Sequence, residues 1–447
     1  MYIDDTIVAI ATPAGRGGVG IVRLSGPESL HIAQKITSQT LKPRYATYTT
    51  CCDEQQQVLD EGIVLFFNRP HSYTGEDVVE FQMHGSPWVL GELLRLCQSY
   101  GARLARPGEF TERAFLNDKI DLLQAEAIAD LIHAQSASAA KMAMRTLQGT
   151  FSDVVHDIEE EIKQLRMYVE STIDFSDEAL EWLEQHEWQV RLENIVARIQ
   201  QLKKQAHQGQ MMQEGIKIVL AGRPNAGKST LMNAFAARDV AIVTSIEGTT
   251  RDVMKEQVLI DDIPAIIIDT AGLRVSDDEI EQEGIRRAWQ VIQEADIVLF
   301  LHDGTKNDWE KDALPEELIQ SLPQETPMIH VLNKADVFKS QKKNNENVVQ
   351  MSAKTGFGFE DLKSKIKSLL GIQMEHSDFI ARKRHLIIFE NVEKLILDAI
   401  AQFHTHQAPE LLAEDLRFAH EKLAEITGEF TADDLLGEIF SNFCIGK

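Results

Sequence analysis

The chain predicts three folding units: an α+β N-terminal domain, an all-α helical domain, and an α/β domain inserted into the helical one. Three observations lead there. Short β-like runs interleave with two helical stretches over residues 1–118. Amphipathic helical periodicity fills 119–210 and returns at 375–447. Between these, over 215–371, apolar runs of strand length each end in a loop carrying Gly, Asp or Asn.

In the first domain, Thr6–Ala11, Gly20–Leu24, Gly62–Phe67 and Val78–Gln82 read as strands, and 27–37 and 87–99 as helices. Beyond it, Leu122-Leu123, Ala127-Ile128 and Leu131-Ile132 recur on one helical face, and long amphipathic runs follow Gly149. In the second helical stretch, Leu395, Ile396, Ile400 and Phe403 form one stripe, and Leu411, Leu412 and Leu416 the next. Thr431 with Asp434 reads as a capping box that starts a final short helix. Packing both stretches together makes one helical domain with 215–371 inserted. The longest polar stretch, Lys339–Asn347, reads as a surface loop.

The inserted domain carries the chemistry. Gly222-Arg223-Pro224-Asn225-Ala226-Gly227-Lys228-Ser229 lies between an apolar strand, Ile216–Ala221, and a helix that begins Thr230-Leu231-Met232. That context is the one a phosphate-binding P-loop needs. Gly222 and Gly227 let consecutive N–H groups and a helix N-terminus face a phosphate, Lys228 supplies a cation, and Ser229 can place a hydroxyl on Mg²⁺. Asp269-Thr270-Ala271-Gly272 closes the strand Ala265–Ile268, where a carboxylate can hold the Mg²⁺ shell and a glycine N–H can sense a γ-phosphate. Between the two, Gly248-Thr249-Thr250-Arg251-Asp252 offers a threonine to the metal.

Asn333-Lys334-Ala335-Asp336 ends the strand Met328–Leu332. The Asp336 carboxylate can accept the N1–H and 2-amino donors of guanine. Adenine has neither, and a buried acceptor left unpaired discriminates by about 10⁴ or more. Ser352-Ala353-Lys354, after Val348–Met351, offers a backbone N–H to guanine O6. Together these motifs identify an α/β P-loop GTPase (Ras-like) domain. Leu273 occupies the position where many small GTPases carry a water-orienting glutamine, so hydrolysis must recruit another polar group. The acidic loop of Asp277, Asp278, Glu279, Glu281 and Glu283 is nearby in sequence.

Composition narrows the class. A net charge of −25, from 70 acidic and 45 basic residues, argues against a simple nucleic-acid binder. The densest basic cluster, Arg382-Lys383-Arg384-His385, reads as a solvated helix face. Four cysteines without metal spacing suit a reducing compartment, and Cys444-Ile445-Gly446-Lys447 does not fit a prenylation box. The start lacks a basic leader, and no apolar run approaches the roughly 20 residues of a membrane span, so a cytoplasmic protein is expected.

The whole chain resembles the tRNA-modification GTPase family called MnmE or TrmE. The resemblance rests on Thr12–Ile21, on Arg106-Pro107-Gly108-Glu109-Phe110-Thr111-Glu112-Arg113-Ala114-Phe115, on the inserted GTPase domain, and on the terminal Phe443-Cys444-Ile445-Gly446-Lys447. It implies GTP contacts through Asn225, Ala226, Gly227, Lys228, Ser229, Thr230, Thr244, Ser245, Ile246, Glu247, Gly248, Thr249, Thr250, Asp269, Thr270, Ala271, Gly272, Asn333, Lys334, Ala335, Asp336, Ser352, Ala353 and Lys354. It implies Mg²⁺ at Ser229 and Thr250, K⁺ at Asn225, Thr244, Ile246 and Thr249, and Glu281 as the residue that positions the attacking water.

It also implies a one-carbon tetrahydrofolate held by Arg23, Glu80, Lys119 and Lys447, in a homodimer joined through the N-terminal domains. The implied partner is the FAD-dependent MnmG (GidA), which uses NADH, in a heterotetramer or larger complex. The implied substrate is wobble uridine 34 of certain tRNAs, modified at C5 to an aminomethyl or carboxymethylaminomethyl form. One departure is Gly85-Ser86 after His84, where the family commonly has two glycines. A competing reading, a GTP-dependent ribosome-assembly factor without modification chemistry, expects an appended RNA-binding module that the acid-rich helical tail lacks.

Overall fold

A computed structural model describes the chain outside residues 1–4, 175–186, 239–254, 270–288, 290, 307, 325, 339–345, 373–378, 431–432, 442, 444–445 and 447. Contacts divide it into two compact units, one of Met1–Ala129, Ser152–Glu160 and His420–Lys447, the other of Asp130–Phe151 and Glu161–Ala419.

The first unit is built on a six-stranded sheet in the order β3-β4-β5-β2-β1-β6. Its strands are β1 (Ile7–Ile10), β2 (Gly17–Ser25), β3 (Thr47–Cys52), β4 (Val58–Phe67), β5 (Val78–Gly85) and β6 (Arg103–Leu104). All pairs are antiparallel except β1 with β6. Alternation sorts the faces. Val22, Leu24, Val64, Val79, Phe81 and Met83 are buried with Ile32 and Ile36 of helix Ser29–Thr37 and Leu93 and Leu96 of helix Pro87–Ser99. Arg23, Glu80 and Gln82 are only half-buried, on the opposite face.

Two elements of this unit give weak sequence signals. β3 reads Thr-Tyr-Thr-Thr-Cys-Cys and contains no aliphatic residue. Helix Glu109–Leu116 buries charge: Arg113 is 2% exposed and Glu109 fully buried. Arg113 bonds Asp5 at 2.6 Å, Glu109 at 3.2 Å and Glu76 at 3.1 Å, and Arg103 bonds Glu109 at 2.5 Å. Burial opposes ionisation of Glu109, but Arg103 and the Arg106 N–H outweigh it and hold the carboxyl down at about 2. The final short helix is present as Asp433–Ser441; Thr431 of the expected capping box lies outside the described residues.

The second unit contains a sheet in the order β12-β11-β10-β7-β9-β8. Its strands are β7 (Ile216–Gly222), β8 (Lys255–Ile260), β9 (Ile263–Asp269), β10 (Ile297–Asp303), β11 (Met328–Asn333) and β12 (Val348–Gln350). All neighbours are parallel except β8 with β9. Buried on both faces, the central strands are mostly apolar, interrupted by Lys217 in β7, His302 in β10 and His330 in β11. Leu231, Phe235, Phe359, Leu362 and Ile366, from helices Lys228–Arg238 and Phe359–Leu369, join one core, and Ile292, Leu314 and Leu318 join another.

Helices Glu187–Glu214 and Lys383–His406 pack together, fastened by Lys203 to Glu393 at 2.8 Å and by Trp188 against Phe403 at 4.6 Å. The buried stripe of the latter helix is Phe389, Val392, Ile396 and Ala399, with Leu395, Ile400 and Phe403 at its margins. Leu412 and Leu416 are buried, but Leu411 is 47% exposed, because adjacent residues on a helix point about 100° apart. The basic cluster is only partly a solvated face. Arg382 donates to Asp130 at 2.7 Å and His385 is buried, so half of it anchors the start of the helix.

The turn between β8 and β9 places Asp261 at φ +49° and Asp262 at φ +69°. Asp261 accepts from Lys363 at 3.1 Å and Lys367 at 2.5 Å. Asp262 accepts the backbone N–H groups of Ala137 at 3.2 Å and Ser138 at 2.8 Å, opening helix Ala137–Leu147, and also the Ser138 hydroxyl.

Candidate nucleotide site

The P-loop follows β7, Asp269 ends β9, Asn333 ends β11 and Ser352 follows β12, so these motif residues gather at the carboxyl edge of the sheet. Strands after β7 fill one side and then the other, which makes this edge the switch point where α/β sheets bind ligands. A cavity of about 600 Å³ lies there, lined by Asn225, Gly227, Lys228, Ser229, Thr230, Asn333, Lys334, Asp336, Ser352, Ala353 and Lys354, with Pro224 and Val337. Its size suits a nucleotide. Ala226 and Ala335 stand behind it as scaffold: Ala226 is buried, and the Ala335 N–H donates to Met351 O at 3.0 Å.

Local geometry explains the motif spacing. Gly227 has φ +101°, and a Cβ there would strike Asn333 Nδ2. Asn225 has φ +66°, a conformation in which asparagine is enriched among non-glycine residues. Lys228, 8% exposed, donates through Nζ to Gly222 O at 2.8 Å and Arg223 O at 3.4 Å. Asn333 ties the loops together. Its Nδ2 donates to Ala226 O at 2.9 Å, and its Oδ1 accepts from Lys334 N at 2.8 Å and Ala353 N at 2.9 Å.

On the base side, the Ser352 hydroxyl donates to Asp336 Oδ1 at 2.6 Å and holds that carboxyl below the usual carboxylate range. Asp336 Oδ2 has no side-chain partner among the described residues. Of the three N–H groups in the Ser352–Lys354 motif, Ser352's goes to Phe357 O and Ala353's to Asn333. A purine oxygen there would share the Ala353 donor or take that of Lys354. Lys334, at φ +70°, is braced by Asp303 at 2.7 Å, which lowers the Asp303 carboxyl against the effect of burial. Ser229 and Asp269 contribute hard oxygen donors, the kind Mg²⁺ prefers.

Thr244, Ser245, Ile246, Glu247, Gly248, Thr249, Thr250, Thr270, Ala271, Gly272 and Glu281 lie outside the described residues, as do Leu273, Cys444 and Lys447.

Sequence reasoning missed a polar chain beside the P-loop. Arg223 Nε meets Asp312 Oδ1 at 2.7 Å, Asp312 Oδ2 meets His302 Nδ1 at 3.1 Å, and His302 Nε2 meets His330 Nδ1 at 3.0 Å. Burial pushes both imidazoles below the usual histidine range. The available signal was His302 itself, the one polar residue among six consecutive buried positions of β10.

On the other face of the N-terminal sheet, partly covered by Tyr73 and Phe110, Arg23 and Glu80 are register partners on β2 and β5. Arg23 donates to Glu80 Oε1 through Nε at 2.9 Å and Nη2 at 2.8 Å, leaving Oε2 without a partner among the described residues. The guanidinium lies 5.4 Å from the Tyr73 ring centroid and 5.7 Å from that of Phe110, and reaches Gly446 O at 3.4 Å. The residue preceding Lys447 is thus beside Arg23. Lys119 is exposed and lies against Gly75. Gly85 must lack a side chain, since a Cβ would come 2.7 Å from Gly17 O; Ser86, at φ −86°, occupies ordinary backbone. The departure from a glycine pair therefore introduces no strain.

Comparison with known proteins agrees with this geometry. Residues 6–119 match the family described as GTP-binding protein TrmE N-terminus, and 122–444 match the MnmE helical domain. A tRNA modification GTPase MnmE of Legionella pneumophila (strain Paris) is 54% identical over 444 residues, covering 99% of each chain. One from Chromohalobacter salexigens is 50% identical, covering 100% of this chain and 99% of its own. Among solved structures, a probable GTP-binding protein engB aligns with 35% of this chain and 100% of its own at 21% identity and a TM-score of 0.24, too low to add weight. On the full-length identity and both domain matches, the chain belongs to the MnmE (TrmE) family of tRNA modification GTPases.

Proposed function

We propose that this GTPase is potassium-dependent and, with an FAD-dependent partner, modifies C5 of wobble uridine 34 in certain tRNAs using a one-carbon folate. GTP hydrolysis in the service of tRNA modification follows from the family; the cation, folate and partner are our reading. The observation that carries it is Asn225, exposed on the P-loop and lining the cavity beside Lys228. Its side-chain oxygen, with oxygens of Thr244, Ile246 and Thr249, would form a donor set suited to K⁺. A monovalent cation held there would supply positive charge for the phosphates in the manner of an arginine finger. Ser229 and Thr250 would hold Mg²⁺, which neutralises phosphate charge when bound.

Protein groups do the rest. Lys228 and the P-loop N–H groups grip the phosphates, Asp336 reads the base, and Glu281 orients the attacking water. On the N-terminal face, Glu80 Oε2 is an open acceptor for the donor edge of a pterin, while Arg23, Lys119 and Lys447 suit the folate's glutamate tail. We further propose a cytoplasmic homodimer that joins MnmG (GidA), with its FAD and NADH, in a heterotetramer or larger complex. Among the described residues, no helix is long and apolar enough to cross a membrane.

Steady-state hydrolysis in potassium and in sodium buffer at equal ionic strength tests the cation. Potassium stimulation of at least about tenfold is expected, and Asn225→Ala should abolish it. Equal rates in both salts would remove the potassium site. For Glu281→Ala, retained nucleotide affinity with about 10²-fold lower kcat is expected; an unchanged kcat would sink that assignment.

A further inference from the structure

We infer that Asp312 is a positioning residue for the P-loop: by fixing Arg223, it sets the pair of carbonyls from which Lys228 is presented to phosphate. This rests on reading the cavity as the guanine-nucleotide site and adds to it a residue from outside the recognised motifs.

Asp312 is held at both carboxylate oxygens, by Arg223 and by His302. A carboxylate only accepts, so His302 must donate its Nδ1–H to Asp312, which leaves His302 Nε2 to accept the Nδ1–H of His330. The two near-parallel imidazoles lie edge to edge with centroids 5.2 Å apart, and Trp309 is 5.0 Å from the first and 5.8 Å from the second. His302 is 1% exposed and Asp312 10%. The anchor is therefore rigid and almost dry. A satisfied buried polar chain of this kind contributes definition of position more than net stability.

Arg223 is the exposed end, with 60% of its side chain exposed, and its Nε is the group that Asp312 clamps. Its backbone carbonyl does two things inside the loop: it accepts the Ala226 N–H at 3.2 Å and, with Gly222 O, the Lys228 ammonium. One residue thus joins the outer anchor to the seat of the phosphate-binding lysine. Arg223 does not line the cavity itself, so its influence passes through the backbone rather than by touching a ligand.

The test uses the full-length protein with fluorescent GDP and GTP analogues, comparing wild type with Arg223→Ala, Asp312→Asn and the double variant. Each single change should speed nucleotide dissociation about fivefold, the scale of a partly exposed ion pair, with KM affected more than kcat. The double variant should add no more than about twofold. Asp312→Asn preserves shape and removes charge, so a purely packing role would leave dissociation unchanged in it. Arg223→Ala alters an exposed side chain and keeps the test valid if Asp312→Asn folds poorly. Dissociation within about twofold of wild type in Arg223→Ala, or fully multiplicative single effects, would overturn the proposal while leaving the nucleotide site intact. Failure of the wild type to bind either analogue would overturn both.

Discussion

The nucleotide cavity and the Arg23 face of the N-terminal sheet both present an aspartate or glutamate as an acceptor, yet they are assembled in different ways. At the cavity, each short motif closes its own strand, and parallel pairing brings the strand ends together. On the N-terminal face, Arg23 and Glu80 are 57 positions apart and meet only because β2 and β5 pair in one register. Strand-end loops can be read from a linear sequence because the chemistry is local. A face built by register cannot, since a one-residue slip would turn its residues into the core.

The sharpest break of that comparison is at Asp336. Asp336→Asn replaces an acceptor with an amide that can also donate, so GTP affinity should fall about 10³-fold or more while xanthosine triphosphate binding rises. Competition titration of the two nucleotides reads this directly; unchanged preference would mean that another residue reads the base. On the other face, Arg23→Ala should weaken tetrahydrofolate binding about tenfold, the value of a lost charge-assisted bond, without altering GTP turnover. Calorimetry with the folate and a parallel GTPase assay would separate the two, and an equal loss in both would show that the regions are not independent.

The smallest effect concerns acid stability. Glu109 has its folded-state carboxyl lowered to about 2, so it binds its proton less readily when folded than when unfolded. Its contribution is present above the unfolded value near 4.5 and disappears as pH falls through about 2. Melting temperature should therefore drop between these pH values, and less steeply in Glu109→Gln. Identical slopes in the two proteins would place the acid sensitivity elsewhere.

Much of the fold was legible. Strands with aliphatic runs and helices with regular apolar stripes were read close to their observed ends, as for 87–99 and Pro87–Ser99. β3, without aliphatics, and Glu109–Leu116, with ion pairs where a core should be apolar, were not. At the cavity, the motifs located Lys228, Asn333, Asp336 and Ser352. They did not reveal that Asn333 ties the P-loop to the Ser352 loop, or that Asp312 and His302 brace Arg223. Those bonds join residues from different strands and loops, and no periodicity or local spacing records them.

The turn at Asp261 and Asp262 illustrates the same limit at the level of a single peptide bond. Both residues stand in left-handed backbone, which costs an L residue about 1 kcal/mol or more and which glycine would relieve. Glycine, however, has no carboxylate, and here neighbouring carboxylates reach two different helices, Phe359–Leu369 and Ala137–Leu147. The turn is therefore chosen for reach over ease. A glycine at either position, an improvement by backbone statistics, would uncouple the hairpin from one of its two neighbours: helix Phe359–Leu369 if Asp261 is lost, helix Ala137–Leu147 if Asp262 is lost.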